Sequence, residues 1–159
     1  MAKEIERKFL VASGDWRRAA THKVEIRDGL LAFRDGRKVR VRFYDDRATL
    51  SVKGPKSGLT RDEFEYEIPH GDGLTLLEQH CDGEVLRKTR HFVPEGADVW
   101  TVDEYHGVHE GLVVAELELA TEETPFERPC WLGAEVTGKS RYRQSSLFKE
   151  HRRVMKRTG

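Results

Sequence analysis

Charged side chains stand at every second position in several short segments of this 159-residue chain. Successive side chains of a β-strand point to opposite faces, so Glu4, Glu6 and Lys8 would share one face of a first strand. The same spacing gives five further ionic rows: Arg40 and Arg42; Lys53 after Thr49 and Ser51; Arg61, Glu63, Glu65 and Glu67; Lys88 and Arg90; Glu116 and Glu118. Arginine and lysine bind phosphoryl oxygens, and carboxylates are hard ligands that suit Mg2+ or Mn2+. Together the rows predict a site for a polyphosphate that carries divalent cations.

The same alternation is also typical of an antiparallel sheet with one dry face and one solvated face. Two features favour an interior location instead. Basic and acidic residues lie largely on different strands, whereas solvent-exposed faces usually mix them. If eight strands close into a barrel, one face must line the inside, where about a dozen charges would cost several kcal/mol each unless they are paired or solvated. A water-filled passage with a highly charged occupant meets that requirement.

The alternating segments predict a mainly β fold with flanking helices. The strands are expected near residues 4–11, 27–33, 38–45, 48–54, 61–69, 84–93, 98–105 and 111–120. Short links favour antiparallel hairpins, and eight such strands in a single domain, residues 1–159, suggest a barrel or a folded-over sheet. Helices are expected from Trp16 to Ala20, capped by Asp15, and around Leu74 to His80, capped by Asp72. The longest helix is expected from Ser140 to Lys156.

The composition excludes several classes of protein. The 28 basic and 28 acidic residues cancel, which argues against a general nucleic-acid surface. No apolar segment approaches the roughly 18 residues of a membrane span, and the N-terminal residues do not resemble a signal peptide. Cys81 and Cys130 have neither the number nor the spacing of a disulfide framework or a zinc site. We therefore expect a cytoplasmic protein without membrane or nucleic-acid partners. The number of subunits stays open, a homodimer included.

The order of these motifs along the chain resembles one known family. Glu4-Ile5-Glu6-Arg7-Lys8 is similar to the E-x-E-x-K opening of the CYTH superfamily, the triphosphate tunnel metalloenzymes. The resemblance continues through Arg40-Val41-Arg42, Thr49 to Gly54, Arg61 to Glu65, Arg87 to Arg90, Asp103, Glu116-Leu117-Glu118 and Glu135 to Gly138. It implies an eight-stranded antiparallel barrel that forms a charged tunnel, with a plug-like C-terminal helix. It also implies metal-dependent hydrolysis of triphosphates, since short bacterial members resemble inorganic triphosphatases.

The resemblance assigns roles to the ionic rows. Six cations would bind the phosphoryl oxygens: Lys8, Arg40, Arg42, Lys53, Lys88 and Arg90. Four carboxylates would hold a metal that bridges the phosphates: Glu63, Glu65, Glu116 and Glu118. Glu4 and Glu6 would position a second metal or a water at the attacked end, and Lys88 would help the leaving phosphate. Asp103 could be a structural hydrogen-bonding residue or a ligand.

Three sites depart from the family pattern, among them Lys139-Ser140 in place of a more usual Asp-Pro or Asp-Lys, and three functions remain open. Leu30 stands where many relatives have tyrosine, and Gln144 stands where asparagine is common, which affects the expected tunnel mouth and plug. The leading function is a Mg2+- or Mn2+-dependent triphosphatase that acts on tripolyphosphate or on a small organic triphosphate such as ATP or thiamine triphosphate. The alternatives are a class IV-type adenylate cyclase and a non-catalytic polyphosphate-binding module. Unpaired carboxylates would repel a polyanion in the last of these.

Overall fold

A computed structural model of the chain describes residues 3–81 and 85–149. Its strands are β1 (Lys3–Val11), β2 (His22–Arg34), β3 (Arg37–Tyr44), β4 (Arg47–Lys53), β5 (Thr60–Glu67), β6 (Leu86–Glu95), β7 (Asp98–Tyr105), β8 (Val113–Glu118) and β9 (Leu132–Glu135). The helices are α1 (Trp16–Ala19) and α2 (His70–Gln79), and short 3-10 turns span Gly107–His109 and Ser140–Tyr142. Residues 144–149 are again helical.

Eight of the strands close into an antiparallel barrel, as the sequence predicted. The order around it is β5-β4-β3-β2-β6-β7-β8-β1, and β1 pairs with β5 to complete the circle. That closing pair is short, because it joins only Lys3–Ile5 to Thr60–Asp62. The ninth strand, β9, pairs with the later part of β1 and was not predicted. It has four residues and little alternation. A side chain at Gly133 would approach the carbonyl oxygen of Leu10 to 2.9 Å, so glycine permits this close pairing.

The hydrophobic core lies mainly on the outside of the barrel wall. On one side, Phe9, Trp100 and Trp131 belong to a cluster that α1 joins through Trp16. On the other side, helix α2 packs against β3 and β4. At Gly73 of α2 an added Cβ would come within 2.5 Å of the Ala48 side chain, so the helix can approach this closely only without a side chain there. The apolar side chains of the strands lie on the outer face of the barrel. The opposite, polar face of each strand therefore lines the interior.

One end of the barrel is closed by apolar residues from the C-terminal segment. Leu147 and Phe148 pack against Leu30, Tyr105 and Val114, which lie on three different strands. The expected plug is therefore present as far as residue 149. In the segment predicted as a helix from Ser140 to Lys156, Ser140–Tyr142 form a 3-10 turn and residues 144–149 are helical. The remainder of that predicted helix lies outside the described residues. Leu30 is buried in this plug cluster.

The two earlier helices begin differently from the prediction. Asp15 does occupy the N-cap of α1, but its side chain makes no capping bond and accepts instead from the Ser13 hydroxyl at 3.0 Å. Helix α2 starts at His70, two residues before Asp72, so the capping role given to Asp72 is wrong. Proline has a fixed φ that suits the start of a helix, and Pro69 takes the N-cap of α2. In the part of the chain that is described, no helix is long and apolar enough to cross a membrane.

Candidate active site

The barrel encloses a cavity of about 890 Å³ that the predicted ionic rows line. All twelve predicted site residues reach it: Glu4, Glu6, Lys8, Arg40, Arg42, Lys53, Glu63, Glu65, Lys88, Arg90, Glu116 and Glu118. Most of the carboxylates come from the neighbouring strands β8, β1 and β5, and most of the cations come from β4, β3 and β6. The cavity therefore has an acidic wall and a basic wall.

Cross-strand register explains why these side chains face the same space. Lys53 of β4 lies opposite Lys38 of β3 on one side and opposite Glu63 of β5 on the other. Directly opposed residues of antiparallel strands point to the same face of the sheet. On the acidic wall, Glu6 and Glu118 are opposed in the same way across β1 and β8.

The basic wall is held in place by a fully buried aspartate that the sequence reasoning missed. Both carboxylate oxygens of Asp28 accept hydrogen bonds from Arg42, at 2.6 and 2.9 Å, and Arg40 lies 3.5 Å away. Burial alone would raise the pKa of Asp28, but the charges of Arg42 and Arg40 hold that pKa well below its usual range. Gln144 donates to the same carboxylate at 2.6 Å, which ties the C-terminal segment to this wall. The other acid of β2, Glu25, is three positions away and so falls on the opposite strand face, which left Asp28 outside every predicted row.

A second buried aspartate organises the cations of β6. Lys88 donates to Asp103 at 2.6 Å, and Arg90 donates to its two oxygens at 2.7 and 2.8 Å. Burial opposes ionisation of Asp103, but Arg90 and Lys88 lower its pKa. The pKa of Lys88 falls to about 8, chiefly through burial and partly through Arg90 and Arg42, despite the opposing effect of Asp103. Of the two roles left open for Asp103, its contacts are those of a structural hydrogen-bonding residue.

Glu4 on the acidic wall is already engaged by cations. Lys53 donates to one of its oxygens at 2.6 Å and Arg61 to the other at 2.6 Å. Burial acts to raise the pKa of Glu4, but these two charges keep it well below the usual range. Lys53 also lies 3.2 Å from Glu63. Arg61 shares the strand face of Glu63, and the alternation placed it in that row, although the resemblance gave it no role. Glu67 of the same predicted row is exposed and does not line the cavity.

Glu6 and Glu118 differ from Glu4 because the nearby lysines do not outweigh burial and the neighbouring acids. Within residues 3–81 and 85–149 neither has a basic group at ion-pair distance. The pKa of Glu6 is raised by burial and by the charges of Glu116 and Glu4, and the pKa of Glu118 is raised by burial and by Glu4 and Glu63. Carboxylates whose charges repel one another suit a bound cation, and their oxygens are the donors that Mg2+ and Mn2+ prefer.

The carboxylates do not form a complete metal site by themselves. Among the described residues, no group of three or more His, Cys, Asp and Glu side chains is placed to hold a metal ion. Mg2+ commonly keeps several waters and binds through one or two carboxylates together with substrate phosphates. The observed donor set fits that mode of binding, in which the phosphates supply part of the coordination.

Two further lining residues were missed although they share a face with Arg40 and Arg42. Lys38 and Tyr44 both lie on β3 at the spacing of that row and line the cavity. The Tyr44 hydroxyl donates to Glu65 at 3.0 Å and accepts from Arg42 at 3.2 Å, so it links the two walls. The two-residue alternation along β3 would have assigned both residues to the same face as the arginines, but the sequence prediction named only Arg40 and Arg42.

Comparison with known proteins gives a consistent result. The model of the CYTH domain family matches residues 2–153. An inorganic triphosphatase of Acetivibrio thermocellus is 44% identical over 149 residues, which cover 94% of this chain and 95% of that protein. An inorganic triphosphatase of Nitrosomonas europaea is 32% identical, with 91% and 95% covered.

Solved structures extend the comparison to the fold. The crystal structure of the inorganic triphosphatase NE1496 superimposes with a TM-score of 0.64 at 29% identity, covering 92% of this chain and 95% of that one. A structure from Bacillus halodurans that carries an adenylate cyclase name has a TM-score of 0.57 at 19% identity, covering 77% and 84%. At that identity the second likeness shows the fold alone.

Proposed function

Because the chain belongs to the CYTH domain family, we propose that it is a divalent-metal-dependent triphosphatase that hydrolyses inorganic tripolyphosphate within the barrel. The names of the relatives at 44% and 32% identity support this substrate. The observation that carries the proposal is the single cavity with an acidic wall opposite a basic wall. A polyanion alone would be repelled by the acidic wall, whereas a polyphosphate with divalent cations is complementary to both.

The basic wall would bind the phosphate chain. Arg40 and Arg42 present guanidinium groups suited to paired contacts with phosphoryl oxygens, and Lys53 and Lys8 add compact charges. Arg40, Arg42 and Lys53 are nearly inaccessible to bulk water. Electrostatic interactions with a phosphate are stronger in such an environment than in water. We therefore propose that substrate affinity depends mainly on these cations.

The acidic wall would hold the metal. Glu6 and Glu118 have no basic group at ion-pair distance in the described part of the chain, and we propose them as the first carboxylates to bind it, with Glu63, Glu65 and Glu116 nearby in the cavity. A divalent ion held there supplies charge neutralisation for the phosphates and lowers the pKa of a water molecule. Glu4 is bound to Lys53 and Arg61, so it must give up at least one of these contacts to take part.

The reaction needs no covalent intermediate on the protein. The oxygen of a water molecule attacks a terminal phosphorus, the bridging P–O bond breaks, and orthophosphate and pyrophosphate leave. We propose that Glu4 and Glu6 orient the water, and that Lys88 donates a proton or a hydrogen bond to the departing oxygen. A pKa of about 8 leaves Lys88 mostly protonated at neutral pH. Catalysis of phosphoryl transfer is largely positioning and electrostatics, which is what these residues can supply.

A single assay tests the proposal against its alternatives. The purified chain is incubated with tripolyphosphate, ATP or thiamine triphosphate in Mg2+, Mn2+ or EDTA, and both orthophosphate and cyclic AMP are measured. We expect phosphate release from tripolyphosphate that requires a metal and is abolished by EDTA. The arms with ATP and thiamine triphosphate determine whether small organic triphosphates are also substrates. Cyclic AMP as the main product, or tight binding of tripolyphosphate without turnover under every metal condition, would refute the proposal.

A further inference from the structure

Lys38 is a buried lysine of the tunnel that differs from the neighbouring basic residues in having no acidic partner in the part of the chain that is described. Its side chain lines the cavity, and only 6% of the residue is exposed. Each of the six cations predicted to bind phosphate lies within 3.5 Å of a carboxylate: Lys8, Arg40, Arg42, Lys53, Lys88 and Arg90. In the described part of the chain no carboxylate comes within ion-pair distance of Lys38.

The contacts of Lys38 provide a hydrogen bond but no negative charge. Its Nζ donates to the side-chain oxygen of Gln144 at 3.1 Å, and Arg40 donates to the same oxygen at 2.7 Å. A neutral amide shared between two cations leaves a charge on Lys38 uncompensated. Gln144 also donates to Asp28, so it is fixed in this position from both ends.

The charges that surround Lys38 are mostly positive. Burial lowers the pKa of Lys38, and Arg40 on its own strand, Lys53 on β4 and Arg61 on β5 lower it further, against an opposing effect of Asp28 on β2. Burial of an unpaired charge costs several kcal/mol, and a lysine relieves that cost by losing its proton. An anion in the cavity supplies the missing negative charge, so the protonated form of Lys38 is then stabilised.

We propose that Lys38 is a further substrate-binding residue, which holds its proton weakly before substrate binds and takes up a proton when the phosphate chain binds. The proton comes from the solvent, no covalent bond is broken, and the resulting ammonium donates hydrogen bonds to phosphoryl oxygens. Arginine remains charged at all accessible pH values, so lysine is the side chain that permits this change. The inference rests on the proposed function, because it assumes a phosphate chain as ligand.

Proton uptake can be measured directly by calorimetry. Imidotriphosphate, a tripolyphosphate analogue whose bridges resist hydrolysis, is titrated into the chain at pH 7.5 in buffers of different ionisation enthalpy, once with Mg2+ and once with EDTA. The dependence of the observed heat on buffer enthalpy gives the number of protons bound. We expect the wild type to take up more protons than Lys38→Met, by at most one, and its affinity to fall more steeply with rising pH. Protons bound or released by the ligand, by Glu6 and by Lys88 are the same for the wild type and Lys38→Met. They therefore cancel when the proton uptake of one protein is subtracted from that of the other.

Two further variants make the test specific. Lys139 lines the same cavity but is exposed, so Lys139→Met removes a lysine of the same cavity and should take up protons as the wild type does. Lys38→Arg keeps the charge, so it should bind the analogue without the extra proton, and it serves if Lys38→Met does not fold. An uptake in Lys38→Arg or Lys38→Met equal to that of the wild type would overturn the inference and leave the triphosphatase proposal intact. Failure of the wild type to bind the analogue in both Mg2+ and EDTA would overturn both.

Discussion

Replacement of Asp103 by asparagine tests whether the tunnel cations are truly buried charges. The aspartate is 1% exposed and accepts hydrogen bonds from both Lys88 and Arg90. Asparagine keeps the shape of the side chain but removes the charge, and it turns one acceptor into an N–H donor that faces a cation. The variant Asp103→Asn therefore leaves two cations without their shared counterion.

The expected loss of stability follows from this geometry. Removal of one partner from a buried ion pair costs about 3–5 kcal/mol, because the remaining charge stays desolvated. Lys88 already has a pKa of about 8 and can lose its proton, which places the expected loss toward the lower end of that range. For a chain of this size each kcal/mol lowers Tm by about 2–4 °C, so a loss of about 3 kcal/mol should lower Tm by about 6–12 °C. The matched control is Asp62→Asn, which breaks an ion pair with Lys3 whose partners are both about half exposed, and it should cost about 1 kcal/mol or less.

The assay is urea and thermal unfolding of the three proteins, with and without imidotriphosphate and Mg2+. A polyanion supplies the negative charge that the variant lacks, so the ligand should raise the Tm of Asp103→Asn by more than it raises that of the wild type. Two results would refute the reasoning. One is a loss in Asp103→Asn no larger than that in Asp62→Asn, and the other is equal stabilisation of wild type and Asp103→Asn by the ligand.

Two other predictions concern turnover. Protonated Lys88 is the form that can assist the leaving phosphate, so kcat/KM measured against pH should fall as pH rises above about 8. Lys88→Arg should have lower activity and a shallower fall, in which only the dependence expected from Lys38 remains. A fall as steep as that of the wild type contradicts the assignment. Glu6→Gln should reduce kcat by more than tenfold with little change in the affinity for imidotriphosphate in EDTA, because it removes a water- or metal-positioning carboxylate. The exposed Glu67→Gln on β5 should have nearly wild-type kcat in the same steady-state assay, and equal effects of the two substitutions would count against the acidic wall.

The alternation of side chains predicted which residues line the tunnel, but not which of them meet. Glu4 and Lys53 were both recognised, on strands separated by β5, and their direct ion pair at 2.6 Å depends on how the barrel closes. That closure brings Ile5 next to Thr60, a contact that local sequence does not encode. Assignment of a residue to a strand face is a local property, whereas the distance across a barrel depends on the whole circle of strands.

Residues outside the rows were the hardest to predict. Asp28 is one acid in a strand that also contains Gly29, Leu30 and Leu31, and nothing in its neighbourhood distinguishes it from a surface charge. Its role follows from its full burial beside Arg42 and from the bond with Gln144, which is 116 positions away. Gln144 was noted only as a departure from the family pattern. The structure gives it a specific position, between Asp28 and the cations Lys38 and Arg40.

The acids of the tunnel act as counterions for the cations that would bind substrate. Lys53 is held by Glu4 and lies close to Glu63, and Lys8 lies 3.3 Å from Glu116. On the proposed function, a phosphate chain that binds Lys53 and Lys8 competes with these carboxylates and releases them from their ion pairs. The released carboxylates then lie next to Glu6 without compensating charge, which raises the affinity of the acidic wall for divalent cations. Binding of phosphate and binding of metal should therefore be mutually favourable, since each supplies the charge that the other leaves unbalanced.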